Sequence, residues 1–87
     1  MDIFEKIEQW AQDRNLIDGA TPQAQMLKLM EEMGELANGI CRDNQELVED
    51  SIGDCVVVLT ILAAQRGLNI SDCIALAYDE IRIDARS

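Results

Sequence analysis

Glu49-Asp50-Ser51-Ile52-Gly53-Asp54-Cys55-Val56-Val57-Val58-Leu59-Thr60-Ile61-Leu62-Ala63-Ala64 changes character at its midpoint. Up to Asp54 it is polar and acidic. Beyond Asp54 it is apolar on nearly every side. Three consecutive valines would suit a strand, but no turn signal flanks them, so the spacing predicts a helix over residues 45–65. A helix that is apolar all round is buried on more than one side. One small domain cannot readily cover every face, so a partner subunit is expected as the cover.

Working outward, Arg42-Asp43-Asn44 is a short polar connection. Before it, Thr21-Pro22 reads as a cap followed by proline at the first helical position. The helix it opens reaches Cys41, with Met26, Leu29, Met30, Met33, Leu36, Ala37 and Ile40 spaced by three and four. The three methionines are read as core packing. A first helix is expected over residues 2–17, with Ile3, Phe4, Ile7, Trp10, Ala11 and Leu16 on its apolar side. Arg66-Gly67 stops the third helix. Ser71 starts a fourth, with Cys73, Ile74, Ala77 and Ile81 inward and residues 83–87 frayed. The expected fold is therefore all-α: one four-helix domain over residues 1–87, completed by homo-oligomerisation.

Composition narrows the function. With 17 acidic against 7 basic residues the net charge is −10, which repels phosphate backbones and argues against a nucleic-acid polymer as partner. A small phosphate-bearing ligand remains possible if divalent cations lie between the two sets of charge. The chain has no histidine, which excludes a Ser-His-Asp triad and histidine acid–base chemistry. Cys41, Cys55 and Cys73 are an odd, widely spaced set, neither a disulfide frame nor a zinc site. They read as reduced, buried thiols of a cytoplasmic protein. No apolar run reaches the roughly 20 residues a membrane span needs, and Met1-Asp2-Ile3-Phe4-Glu5 does not begin like a signal peptide.

Two acidic clusters carry the chemistry. Glu31, Glu32 and Glu35 crowd one side of the second helix, and Asp50 and Asp54 share a side of the third. The plain alternative is a solvated acidic face. Against it, like charges four apart cost a helix roughly 0.2–0.5 kcal/mol per pair. Only Lys28, four before Glu32, offers relief. Asp54 also stands where its helix turns apolar. Gly34 and Gly53 lie inside helices beside these acids, where glycine costs about 1 kcal/mol relative to alanine. A close approach of the second and third helices at both glycines would explain that cost and bring the clusters face to face. Four or five carboxylates around one space need cations, and oxygen ligands select Mg²⁺, Mn²⁺ or Ca²⁺. No EF-hand loop is present, and carboxylates on helices suit Mg²⁺ bridging to phosphates.

Glu31-Glu32-x-x-Glu35, followed after a gap by an acidic motif ending at Asp54, resembles the all-α nucleotide pyrophosphohydrolases, which include MazG and the dimeric dUTPases. Lys28-Leu29-Met30-Glu31-Glu32-Met33-Gly34-Glu35-Leu36-Ala37 looks most like MazG-like proteins of bacteria and phages. The family's second motif has glutamate where this chain has Ser51, and Asp50 or Glu49 is the expected substitute. The resemblance implies Mg²⁺, replaceable by Mn²⁺, held by Glu32, Glu35, Asp50 and Asp54. Glu31 would hold a further ion or orient the attacking water. It implies cleavage of a nucleoside triphosphate to monophosphate and pyrophosphate, by metal-activated water at the α-phosphorus. Lys28, when not paired with Glu32, and Arg82 would meet the outer phosphates. Asp79 stands where relatives carry asparagine. Trp10 fills core or interface, or stacks on a nucleobase. The competing readings are a catalytically weak or inactive nucleotide or metal sensor, prompted by Ser51, and a plain helical dimerisation module.

Overall fold

In a computed structural model, which describes residues 1–86, the chain forms four helices: α1 (Ile3–Asp13), α2 (Pro22–Cys41), α3 (Gln45–Gln65) and α4 (Ile70–Arg86). Local chemistry sets their starts. Asp2 and Glu5 form a capping box, with Glu5 N donating to Asp2 Oδ1 at 2.8 Å. Thr21 Oγ1 accepts from Ala24 N, and Asn44 Oδ1 from Leu47 N. Asn69 Oδ1 accepts from Ser71 N and Asp72 N, so α4 begins at Ile70, one residue before the position expected from sequence.

The first three helices end alike. An arginine is the C-cap each time, Arg14, Arg42 and Arg66, and the next residue is left-handed: Asn15 (φ 57°), Asp43 (φ 52°) and Gly67 (φ 73°). The residue after that donates its N–H back to the helix: Leu16 to Ala11, Asn44 to Gly39, Leu68 to Ala63. This is the Schellman closure, and a cation suits the negative end of the helix dipole. It also explains why α1 stops at Asp13 rather than at residue 17, since Asn15 supplied the left-handed turn earlier than expected. Three of the chain's seven cations are thereby placed at helix ends.

α3 is the central rod. It packs most extensively on α2, then on α1, and least on α4. Val58, Thr60, Ile61 and Ala63 are buried, and Val56, Val57, Leu62 and Ala64 half-buried. The all-round apolar half is therefore covered largely within one chain, because three helices reach it from different sides. Leu59 is the exposed residue of that half, at 39%, and most of the uncovered apolar surface is elsewhere. Met26, Met30 and Met33 do not pack in the core; with Ala37 and Ile40 they form an exposed stripe along α2, Met30 at 59% and Ile40 at 63%. The α2 face that packs on α3 carries Leu29, Glu32, Leu36 and Gly39 instead. On α4, Ile74, Ala77 and Ile81 are exposed rather than inward, and the helix continues to Arg86 where fraying was expected; Ser87 lies outside the described residues. Of the cysteines, Cys41 is exposed and the other two half-buried, so none is a fully buried thiol. No helix among the described residues is long and apolar enough to cross a membrane.

The close helix approach also falls at a different glycine. A Cβ at Gly34 or Gly53 would meet nothing within 4 Å. At Gly39 it would lie 3.2 Å from Leu47 Cγ, Val48 Cγ2 and the Val48 backbone nitrogen. The α2–α3 crossing is therefore closest at the start of α3, beside their short connection. Gly39→Ala should lower stability by about 1 kcal/mol, because overpacking of roughly 1–3 kcal/mol outweighs the helix-propensity gain of about 1 kcal/mol. Gly53→Ala should raise it by roughly 0.5–1 kcal/mol, having open space to fill. Urea unfolding of the two variants checks the pair, and the opposite order of stabilities would refute this placement of the crossing.

Candidate functional site

α2 and α3 run antiparallel. Gly39 lies against Leu47 and Val48; two turns away, Glu32 lies beside Asp54 and Cys55. That register brings the two acidic motifs together. One carboxylate oxygen from each of Glu32, Glu35 and Asp54 lies within 4.8 Å of the others. Of the acids expected from sequence to form one cation cage, Glu32, Glu35 and Asp54 meet in one place, whereas Asp50 and Glu31 are not part of that group of oxygens; Gly34 and Gly53 are not what lets the three meet.

The three carboxylates have different surroundings. Glu32 is only 6% exposed, Asp54 is half-buried and Glu35 is open to solvent. Lys28 Nζ lies 3.2 Å from Glu32 Oε1 and 3.7 Å from Glu31 Oε1. Glu32 Oε2 is buried with no hydrogen-bond partner. Leaving a buried charged acceptor unpaired costs on the order of 1–3 kcal/mol or more. The Lys28 ammonium is stabilised in return: hydrogen bonding to Glu32 and the nearby charge of Glu31 raise its pKa.

Asp54 is pushed above the ordinary carboxylate range, first by desolvation and then by the charges of Asp50 and Glu32. Of the acids in the preceding turn, Asp50 is the one that acts on it. Ser51, standing where the resemblance implies glutamate, is completely buried and its hydroxyl has no partner. Cys55, next along α3, has its thiol pKa raised by burial and then by Glu32 and Asp54. The sequence reading did not single out this thiol, although its place after Asp54 at the polar-to-apolar switch signalled it. Arg82 pairs within its own helix, with Asp79 at 3.9 Å, and no ion pair among the described residues ties it to the acids of α2 or α3.

A raised folded-state pKa fixes the sign of a pH effect. The stability Asp54 contributes is present below its unfolded value of about 3.9 and is lost as pH rises through its folded value. Without divalent ions, the melting temperature should therefore fall as pH rises from about 4, and fall less steeply in Asp54→Asn. Thermal melts of both proteins across that window measure it; a steeper fall in the variant would contradict the assignment. The donor set fits a hard divalent cation. It offers oxygen only, concentrates negative charge and includes one buried oxygen that nothing among the described residues satisfies.

Comparison with known proteins agrees with this geometry. The chain is 51% identical, over 67 residues, to an uncharacterized 18.2 kDa protein in the rep-hol intergenic region of Haemophilus phage HP1 (strain HP1c1). That alignment covers 77% of this chain and 41% of the phage protein, so the chain spans about two-fifths of its relative's length. No solved structure matches. The MazG nucleotide pyrophosphohydrolase domain family matches residues 20–82, a span that contains α2, α3 and both acidic motifs, and the chain belongs to that family.

Proposed function

We propose that this chain hydrolyses nucleoside triphosphates to monophosphate and pyrophosphate with the help of Mg²⁺. The observation that carries the reading is the convergence of Glu32, Glu35 and Asp54 oxygens within 4.8 Å, one partner of the group being buried and half unsatisfied. These three, with Asp50, would hold Mg²⁺, or Mn²⁺ in its place. When bound, the ion supplies an activated water and neutralises charge developing on the phosphoryl oxygens. Glu31 is open to solvent beside this group and would orient the attacking water. Lys28 neutralises Glu32 until a cation takes over that role, and is then free to meet the substrate's outer phosphates. Arg82 on α4 is the second cation assigned to them.

A second reading, a catalytically weak or inactive sensor, draws on Ser51: the family's glutamate position here holds a buried hydroxyl that cannot reach as far. Incubation with Mg²⁺ and a panel of deoxynucleoside triphosphates decides. Release of monophosphate and pyrophosphate supports the enzyme. Binding without turnover supports the sensor. No stabilisation by Mg²⁺ would leave only a dimerisation module.

The chain also acts as a homodimer or dimer of dimers in this reading. Its accessible surface is 6341 Å², against about 5,100 Å² for a compact monomer of its mass. Its radius of gyration is 14.7 Å, against roughly 12 Å expected. The excess area exceeds the approximately 800 Å² that each partner contributes to a standard interface. Met26, Met30, Met33, Ala37 and Ile40 follow a four-three spacing along α2, the pattern of a helix seam. A cytoplasmic place and the absence of nucleic-acid polymer or membrane partners go with this assignment.

A further inference from the structure

α4 stands largely uncovered. It packs least on α3, and Leu76, Tyr78, Ile81 and Ile83 are each more than half exposed. Hydrogen bonds close the turn before it. Gly67 is left-handed (φ 73°), Leu68 N donates to Ala63 O at 2.8 Å, and Asn69 Oδ1 caps the new helix. These bonds set the direction of α4, and in that direction residues 74–84 stay exposed. α1 is pinned to the same end of α3, where Gln65 Nε2 donates to Leu16 O at 3.1 Å. It carries a stripe of Ile3, Ile7, Trp10 and Arg14, with Lys6 alongside. Ile3 is 63% and Trp10 44% exposed, and Lys6 and Arg14 make no ion pair among the described residues. α1 also lies outside residues 20–82, the span that matches the family.

We infer that α4 of one copy packs antiparallel on the α1 stripe of a second copy, and that the contact is reciprocal. The inference rests on the self-association proposed above and adds a second contact surface to it. Register and charge carry it. The α1 stripe falls at residues 3, 7, 10 and 14. On α4, Asp72, Leu76, Asp79 and Ile83 repeat the same four-three-four spacing, that of a helix seam. With the helices in opposite directions, Arg14 meets Asp72, Trp10 meets Leu76, Ile7 and the adjoining Lys6 meet Asp79, and Ile3 meets Ile83. Both cations then face acids. With the helices parallel, Arg14 would meet Ile83 and Ile3 would meet Asp72, so the chemistry selects the antiparallel pairing. Asp79 is little committed to its own chain, since its contact with Arg82 is 3.9 Å long between exposed side chains.

A second copy is the occupant because one chain carries both halves of the match. A two-fold axis then forms the contact twice, the usual way a closed dimer is built. The groove of about 270 Å³ lined by Lys6, Ile7, Trp10 and Val57 gives Leu76 a place to enter. The surface in excess of a compact monomer also exceeds what one standard interface takes, which leaves room for this contact beside the α2 stripe. Exposed ion pairs contribute little alone, so the contact supplements that stripe and does not replace it.

Two variants with opposite charge changes test the pairing. Lys6→Glu with Arg14→Glu makes the α1 stripe acidic, and Asp72→Lys with Asp79→Lys makes the α4 face basic. Each variant alone opposes like charges at both contacts and should associate at least tenfold more weakly by sedimentation. All four side chains are exposed, so the helical dichroism should be unchanged. An equimolar mixture should recover association to within a few-fold of the unaltered chain, because both contacts of the mixed pair again join opposite charges. Trp10, the sole tryptophan, should emit at shorter wavelength on mixing as Leu76 covers it. If net charge alone governed association, the mixture would fall between the two variants, and that result overturns the pairing. Association lost and not recovered by mixing overturns it too, being the sign that α4 closes on its own chain. Variants that associate as well as the unaltered chain sink the pairing and spare the α2 stripe. An unaltered chain that stays monomeric sinks the self-association itself.

Discussion

Glu32→Gln and Asp54→Asn should each lower the proposed Mg²⁺-dependent pyrophosphate release by on the order of a hundredfold or more, while the far-ultraviolet dichroism of the four helices should be unchanged. The size follows from position. Loss of a group that merely orients a metal ligand typically costs about 10–100-fold, and these residues are proposed to offer the ligand oxygens themselves. The fold should survive, since both substitutions keep the shape and remove a charge from a crowded group. Apo stability should rise in Asp54→Asn, because its carboxylate is disfavoured by desolvation and by Asp50 and Glu32. Glu32→Gln is less simple. It relieves the unsatisfied Oε2 charge but also weakens the contact with Lys28. Activity within a few-fold of the unaltered chain in both variants would remove these residues from the site.

Met30→Glu combined with Ile40→Glu should convert the proposed homo-oligomer to a monomer near 9.7 kDa by light scattering. Both side chains lie on the exposed apolar stripe of α2 proposed as the seam. Burying a large apolar side chain contributes roughly 1.5–3 kcal/mol, so two buried charges in their place should be prohibitive for association. The melting temperature should fall by on the order of 10 °C or more, because a domain this small loses 4–8 °C per kcal/mol. An unaltered chain already monomeric at micromolar concentration would contradict the seam, as would a double variant that still associates.

Local features of the chain were legible in its sequence to a different degree from long-range ones. The helix starts and the antiparallel placement of the acidic motifs were legible, because caps and i,i+4 spacing are local and the connection at residues 42–44 is short. Glu32, Glu35 and Asp54 were found that way. Which apolar face is covered was not legible. The spacing of Met26, Met30 and Met33 is the same for a core stripe as for a seam between subunits, and only the position of α3 distinguishes them. The glycines misled for a related reason. A helical glycine reports lost propensity, not what stands opposite it, so Gly39 went unnoticed while Gly34 and Gly53 drew attention. The early end of α1 turned on Asn15, whose left-handed backbone is uncommon outside glycine.

Ser51 is where chain and family part. A buried hydroxyl without a partner stands where the resemblance implies a ligand, and Asp50 is the neighbouring acid whose charge helps raise the pKa of Asp54. Whether the cage closes with Asp50 in place of that glutamate is a question about ion binding, separable from turnover. Calorimetric titration of Mn²⁺ into the unaltered chain and into Glu32→Gln, Glu35→Gln and Asp54→Asn is the most direct measurement. Saturable binding in the unaltered chain, weakened at least tenfold in each variant, is the predicted result. Equal binding in all four proteins, or none in the unaltered chain, would contradict the claim that these carboxylates form one divalent-ion site.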